Sequence, residues 1–471
     1  MIIQNLLDNN LPEYIIIGGG PAGITLALEL EKKNKTILLI EAGGIEYDEE
    51  IQSVYKGKVI GDKYFDLDVT RLRYLGGSSN HWGGNCAPLD KHDMKNWPID
   101  YDDLNNYRQL TKEILNIKNK FIKYENTVFQ SFKLSSIEEG YVNFGEKYYD
   151  KLKNSKNIFL LLKSNVLSLD PDKDDVRVSY ININLNKENR KIKINHNSKI
   201  ILACGGIENS RLLLWSRERI KKKFLNGLPI GKYWMEHPSG EIGHFLGEKK
   251  TIEKLFKKKN YFLVPTEKFM NDNKTNNIRF SVQFWDLNSE KSFKHYIKDI
   301  ICLAPNLGKK ITESISNQVV HCISAIKFSC EQKPSLKNSI SLSKKNLDKF
   351  QIPRVILNWN IEEDVFITLE KTLEKLGNEA INNNIGRIGI DRFVYDRSFK
   401  NSNDIFANNH HMGGTIISNN ENKGVVDKNL KVENVENLYV LGSSVFPTAG
   451  HFNPTFTIIQ LSLRLAKHLT S

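Results

Sequence analysis

Histidines concentrate toward one end of this chain of 471 residues. An imidazole titrates near neutral pH, so it can take a proton from a substrate under physiological conditions. The sequence from residue 410 onward therefore carries candidates for proton-transfer chemistry. Its histidines are His410, His411, His451 and His468.

A glycine-rich stretch holds a further candidate. Residues 75–86 read LGGSSNHWGGNC, with His81 and Trp82 at the centre. Glycine tolerates backbone conformations that other residues avoid, so the stretch indicates an unusual backbone path. The chemistry-bearing group within it is the imidazole of His81.

The first elements that could position these groups form a predicted nucleotide-binding unit near the N-terminus. A β-branched strand in EYIIIGGGPAG runs into three spaced glycines, Gly18, Gly20 and Gly23, and a helix pattern follows. A second apolar strand, TILLI, ends at Glu41. In such a βαβ unit the glycines permit the tight turn, the approach of a pyrophosphate and close helix packing, and the helix N-terminus receives negative charge. Glu41 can accept hydrogen bonds from a ribose. The pattern does not separate NAD from FAD.

The remainder predicts alternating helices and strands. Residues 97–160 are polar with a helical pattern, whereas residues 158–205 contain several strand-like runs before a further βα step at ILACGGIENSRLLL. Residues 240–400 alternate strand and helix patterns, which favours a second, α+β domain. A final amphipathic helix is expected to begin at or near Pro454, because proline suits the first helical turn.

Composition narrows the class of protein. Apolar residues make up 40% of the chain, which is ordinary for a globular protein. The formal net charge is +12, but the basic runs lack interleaved aromatic residues. We therefore favour solvated basic faces over a nucleic-acid groove. Five cysteines without C-x-x-C pairs argue against a disulfide framework or a metal site. No signal peptide or apolar run long enough to span a membrane is evident, so a cytoplasmic location is expected.

Several motifs, in family order, resemble the glucose–methanol–choline (GMC) family of FAD-dependent oxidoreductases, in its pyranose-oxidase-like branch. The resemblance covers the whole chain, strongly at both ends and weakly between residues 240 and 400. The first motif is the N-terminal glycine fingerprint, which consists of Gly18, Gly20 and Gly23. The others are LGGSSNHWGG, LACGGIENSRLLLWS, GKYWMEHP and HHMGGT…GSSVFPTAGHFNPT.

The resemblance implies an α/β fold with two domains. Residues 1–95, 158–240 and 405–471 would form a discontinuous, Rossmann-like FAD-binding domain. Residues 96–157 and 241–404 would form an α+β substrate-binding or cap domain with a mixed or antiparallel sheet.

The resemblance also implies FAD in the dinucleotide site. In the family, the glycine–serine loop passes against the isoalloxazine ring, which makes Gly76, Gly77, Ser79 and Trp82 expected flavin contacts. Some members carry G-G-x-S-x-H in this loop and bond the histidine covalently to the flavin. His81 is therefore a candidate covalent anchor, and the alternative is that it only forms a hydrogen bond near the ring.

The same resemblance assigns the catalytic pair. The H-x-G-G-T motif makes His411 the general base that takes the hydroxyl proton of an alcohol, while the flavin takes the hydride. The NPT motif makes Asn453 the hydrogen-bond partner of the substrate oxygen. His410 is then expected to pack or hydrogen-bond outside the site, and for His451 both lining the pocket and lying outside it stay open.

Further cofactor contacts are carried over from the family. They involve the adenine, the turn beneath the nucleotide, the pyrophosphate and the pyrimidine end of the flavin. The residues are Val166, Ala203, Gly442, Ser443, Pro454 and Thr455.

The predicted function is an FAD-dependent dehydrogenase or oxidase acting on the CH–OH group of a sugar, polyol or glycoside. One alternative is a GMC-type lyase with non-oxidative flavin chemistry. The other is a flavin-binding subunit of a larger complex. The substrate, the electron acceptor (oxygen, a quinone or a redox protein) and the oligomeric state stay open, and no nucleic-acid partner is expected.

Overall fold

A computed structural model describes residues 1–3, 11–121, 129–220, 223–247, 261–284, 324–397, 405–420 and 424–471. Short 3₁₀ helices occupy Ser53–Tyr55, Gly77–Asn80 and Ser443–Val445. The α-helices of the described residues are α1 (Pro21–Glu31), α2 (Glu49–Gln52), α3 (Tyr101–Asn105), α4 (Arg108–Ile114), α5 (Phe144–Asn154), α6 (Gly205–Ile220), α7 (Glu267–Asn273), α8 (Glu363–Asn382), α9 (Arg392–Tyr395) and α10 (Thr455–Thr470).

A parallel sheet lies at the centre of the fold. Its strands are β1 (Ile2–Ile3), β2 (Tyr14–Ile17), β3 (Ile37–Ile40), β8 (Ile158–Leu161), β12 (Lys199–Leu202) and β21 (Leu438–Val440). Their order is β1-β8-β3-β2-β12-β21, and every pairing is parallel. The strands read as continuous apolar runs because helices cover the sheet, and α1 packs against α10.

An antiparallel sheet forms the second layer of the molecule. Its strands are β6 (Phe132–Ser136), β13 (Pro238–Gly247), β14 (Tyr261–Pro265), β15 (Ile278–Phe284), β16 (Ser324–Cys330), β19 (Gly386–Ile390) and β20 (Ile405–Ala407). The order is β19-β13-β16-β15-β14-β6, and β20 also pairs with β13. Apolar side chains of one face, such as Phe280, belong to the same hydrophobic core as Leu369 and Leu373 of α8. The alternate residues of β15, beginning with Arg279, therefore belong to the opposite face.

Smaller sheets complete the described structure. They combine β9 (Ser164–Pro171) with β10 (Val178–Leu185) and β11 (Glu188–Lys193), β4 (Lys58–Gly61) with β17 (Ser339–Leu347) and β18 (Pro353–Trp359), and β5 (Asn85–Cys86) with β7 (Glu138–Glu139).

The α/β fold with a parallel and an antiparallel sheet is as predicted, and the terminal helix begins directly after Pro454. The region 97–160 is only partly helical, because β6 and β7 lie within it. The predicted domain boundaries stay a prediction. The described residues form two large hydrophobic cores and one small cluster, and the largest core, around the parallel sheet, also contains Val355 and Trp359. No helix in the described ranges has the length and apolar character needed to cross a membrane.

Candidate functional site

A cavity of about 390 Å³ opens at the carboxyl ends of the central strands. Its wall includes Gly18 after β2, Glu41 after β3, Ala203 after β12 and Gly442 after β21. Ligands of open parallel sheets bind at this edge, because the loops and helix N-termini that follow the strands meet there.

The structure brings most of the predicted site residues together around this cavity. The lining residues among them are Gly18, Gly20, Glu41, Gly77, Ser79, His81, Trp82, Val166, Ala203, His411, Gly442, Ser443, Asn453, Pro454 and Thr455. Gly23 and Gly76 do not line it. They are packing positions: a Cβ on Gly23 would lie 2.0 Å from the Gly18 carbonyl oxygen, and one on Gly76 would lie 2.6 Å from the Gly145 nitrogen.

The cavity wall fits a dinucleotide. A Cβ added to Gly20, Gly205 or Gly442 would meet no protein atom within 4 Å, so these backbones border open space. Gly20 and Gly205 also lie at the N-termini of α1 and α6, where free N–H groups favour a phosphate.

Glu41 is held in position for the predicted ribose contact. Its carboxylate accepts hydrogen bonds from the Gly19 nitrogen at 2.7 Å and the Gly43 nitrogen at 2.9 Å. Each carboxylate oxygen has a second lone pair, so capacity to accept from a ribose hydroxyl is retained.

The glycine-rich loop docks on the fingerprint through its backbone. The Gly76 nitrogen donates to the Gly19 carbonyl oxygen at 2.8 Å, and the Trp82 indole donates to the Val142 carbonyl oxygen at 3.0 Å. Gly76 adopts φ +97°, a conformation that favours glycine. The loop thereby carries His81, an exposed residue, to the cavity wall.

His410 lines the cavity, contrary to the expectation that it lies outside the site. Its Nδ1 lies 2.9 Å from Nδ1 of His237, a fully buried residue. Nε2 of His237 lies 2.9 Å from the Gly450 carbonyl oxygen. A carbonyl oxygen only accepts, so His237 carries its proton on Nε2 and accepts on Nδ1.

This hydrogen-bond chain fixes the tautomer of His410. Because Nδ1 of His237 accepts, Nδ1 of His410 must donate, and the lone pair of neutral His410 lies on Nε2. Burial lowers the pKa of His237 to about 3 and the pKa of His410 well below its usual value. Both rings are therefore neutral at physiological pH, and His410 offers an unprotonated nitrogen within the cavity wall.

Glu236 supports the same pair from the other side. One carboxylate oxygen accepts from the backbone nitrogens of His237 and His410, both at 2.8 Å, and the other accepts from the Tyr64 hydroxyl at 2.7 Å. Burial raises the pKa of Glu236 to about 7 despite these donors. The motif GKYWMEHP thus supplies a polar scaffold behind the cavity.

His411 has a different environment. Its ring lies beside the aromatic rings of Tyr64 and Trp234, and its Nε2 is buried without a hydrogen-bond partner. Burial, reinforced by the positive charge of Arg71, lowers the pKa of His411 to about 3. Its carbonyl oxygen accepts from the Ser443 hydroxyl at 2.6 Å.

Asn453 is fixed by two neighbours of opposite hydrogen-bond character. Its Oδ1 accepts from Nη2 of Arg279 at 3.2 Å, and its Nδ2 donates to the Asn85 carbonyl oxygen at 2.8 Å. Because a guanidinium only donates and a carbonyl only accepts, the amide orientation is determined, and one Nδ2 hydrogen is unused.

The other two candidate histidines lie away from the cavity wall. His451 is fully buried, and neither of its ring nitrogens has a hydrogen-bond partner. His468 lies in the last turn of α10.

A buried charge cluster at the cavity escaped sequence reasoning. Glu208 at the start of α6 forms ion pairs with Arg71 at 3.0 Å, Arg211 at 3.3 Å and Arg73 at 3.7 Å. Arg71, Arg73 and Glu208 line the cavity. The signal in the sequence was RLRYLGG, in which two arginines directly precede the glycine-rich loop.

Comparison with known proteins shows which family part of this chain resembles. Residues 334–462 match the family model described as GMC oxidoreductase. The matched part of the chain is therefore similar to the GMC oxidoreductases, a family whose members bind FAD.

The individual proteins that this chain resembles share less than 30% of their sequence with it. The large subunit of fructose dehydrogenase from Gluconobacter japonicus is 29% identical over 160 residues, which are 34% of this chain and 27% of that protein. The chain thus matches about a quarter of the length of this curated relative. Pyridoxine 4-oxidase from Mesorbium loti shares the fold with a TM-score of 0.63 at 14% identity, over 97% of this chain and 99% of that one. A formate oxidase variant from Aspergillus oryzae RIB40 has a TM-score of 0.61 at 16% identity, over 98% of both chains.

Proposed function

We propose that this chain binds FAD in the cavity and oxidises the CH–OH group of a sugar, polyol or glycoside. FAD supplies a hydride acceptor. The protein must supply a base for the hydroxyl proton and groups that hold the substrate oxygen. The observation that carries the proposal is a neutral histidine, with its tautomer fixed, in the wall of a cavity that the glycine fingerprint also lines.

The motif assigns the base to His411, and the hydrogen-bond geometry favours His410 as a second candidate. His410 holds its lone pair on Nε2 because His237 accepts at the opposite side of the ring. His411 lacks such a partner, and its Nε2 is enclosed. Asn453 would donate its unused N–H to the substrate oxygen in either arrangement.

Paired variants separate the two candidates. Anaerobic stopped-flow reduction of the flavin by a panel of sugars and polyols would compare His410→Asn with His411→Asn. If His410 is the base, its loss slows flavin reduction by about 10²- to 10⁴-fold, whereas His411→Asn changes the rate less than tenfold. The reverse ranking returns the role to His411. A flavin that no alcohol reduces would favour the lyase or subunit alternatives.

The covalent bond between His81 and the flavin stays part of this proposal. A histidyl linkage would raise the flavin potential and favour substrate oxidation. Its support is that His81 reaches the cavity on a loop docked against the fingerprint. Acid precipitation tests it: yellow colour in the pellet supports the bond, and flavin found entirely in the supernatant removes it.

A further inference from the structure

A buried guanidinium lies behind the predicted substrate-binding residue. Arg279 is only 9% exposed, and its Nη2 donates to Oδ1 of Asn453, which lines the cavity. The Phe262 ring lies 5.1 Å from its guanidinium carbon. Nη1 is buried and has no hydrogen-bond partner.

No carboxylate of the described residues forms an ion pair with Arg279. Burial lowers the pKa of Arg279 to about 10, so the guanidinium still carries its charge at neutral pH. A buried charge without a partner is costly, so a site that retains one is suited to a ligand of opposite charge.

Three histidine rings of the described residues lie near Arg279 and provide no negative charge. His237, His410 and His451 are each close enough for its charge to depress their pKa further, after the main effect of burial. All three rings are neutral at physiological pH. On the strands beside it, Arg279 pairs in register with Ser329, whose hydroxyl accepts from the cavity-lining Asn408 at 3.1 Å.

We propose that Arg279 is a specificity-determining residue that binds a carboxylate of the substrate, so that the preferred substrate is a sugar-derived hydroxy acid and not a neutral sugar. The guanidinium uses one of its five N–H donors on Asn453, and the others suit a planar carboxylate. The carboxylate against Arg279 would leave the reacting hydroxyl near Asn453. This substrate class rests on the oxidation proposed above.

A matched substrate pair tests the assignment. D-gluconate and D-glucose would be compared for kcat/KM with wild type, Arg279→Met and Lys327→Met. Lys327 is the control, because it lies one row away on the same face of the sheet and also carries a positive charge. We expect wild type to prefer gluconate and Arg279→Met to lower the gluconate-to-glucose ratio at least tenfold, with the ratio of Lys327→Met within twofold of wild type.

Other outcomes overturn the assignment. An equal loss of kcat/KM for both substrates would mean that Arg279 only positions Asn453. An equal drop of the gluconate-to-glucose ratio in Lys327→Met would mean that the preference comes from the overall positive charge of this face and not from Arg279. Binding is measured separately, by calorimetric titration of the oxidised holoenzyme with each compound. Gluconate binding that depends on Arg279 without flavin reduction would keep the carboxylate site and reject the oxidation. Reduction by glucose with no binding preference for gluconate would keep the oxidation and reject the carboxylate site.

Discussion

Two alanine substitutions in the glycine fingerprint are expected to have opposite consequences. Gly20 adopts φ −88° and ψ −172°, a conformation open to alanine, and its added Cβ would meet no protein atom within 4 Å. Because Gly20 is the N-cap of α1, where alanine is less favourable than glycine, Gly20→Ala should lower the stability of the apoprotein by no more than about 1 kcal/mol. Its methyl group would occupy cavity space that the pyrophosphate needs.

Gly23→Ala perturbs the protein itself. A Cβ there would lie 2.0 Å from the Gly18 carbonyl oxygen, so helix α1 must move by about 1 Å away from the turn after β2. Overpacking of this kind typically destabilises by about 1–3 kcal/mol, and a rigid backbone partner puts Gly23→Ala at about 3 kcal/mol. For Gly20→Ala, overlap of about 2 kcal/mol with a bound pyrophosphate would weaken FAD binding about 30-fold.

Two measurements on the same pair of variants check this reasoning. Urea denaturation of the apoproteins, followed by circular dichroism, gives the free energy of unfolding, and quenching of FAD fluorescence gives the affinity. An apoprotein with Gly23→Ala as stable as wild type would refute the packing argument. A Gly20→Ala variant that binds FAD with wild-type affinity would refute the location of the pyrophosphate.

Three further predictions concern buried polar groups. His237→Phe removes the acceptor that fixes the tautomer of His410. The kcat for alcohol oxidation should therefore fall at least tenfold, with KM changed less than twofold. An unaltered kcat in steady-state assays would contradict this role of His237. Because burial raises the pKa of Glu236 to about 7, the folded protein holds a proton that the unfolded chain releases above its lower pKa. Stability should therefore fall as the pH rises from about 4.5 to about 7, and urea midpoints that keep this slope in Glu236→Gln would exclude the group. Glu208→Gln leaves three buried arginines with a weakened counter-charge, so the free energy of unfolding should drop by about 3–5 kcal/mol, and a loss below 1 kcal/mol in urea titrations would contradict the ion-pair account.

The local parts of the fold were predictable from the sequence. The strand, glycine and helix pattern around Gly18, the acid at Glu41 and the helix after Pro454 each depend on residues that are neighbours in the chain. Their periodicity and turn chemistry carry enough information to locate the elements. The gathering of fifteen predicted residues around one cavity follows because parallel strands end at a common edge.

The long-range pairings were not predictable in the same way. β6 joins a sheet whose other strands begin at residue 238, and β4 pairs with β18 across some three hundred residues. No local pattern encodes such partners. The orientation of His410 was also missed, because it depends on His237, which lies 173 residues away in the chain. The different environments of two adjacent histidines can be predicted only when their neighbours in the tertiary structure are known.

The place of β21 in the central sheet has a consequence for how the protein folds. β21 is an edge strand whose neighbour is β12, and residues 203–437 separate the two. Closing so long a loop is entropically slow, and until it closes the apolar strand β12 presents an unpaired edge on which other chains can associate. The segment after β21 also delivers Gly442, Asn453 and Pro454 to the cavity. A partly folded chain therefore has no complete cofactor cavity. FAD can stabilise the finished sheet, but it cannot promote the early steps of folding. Aggregation during refolding therefore competes with the docking of β21.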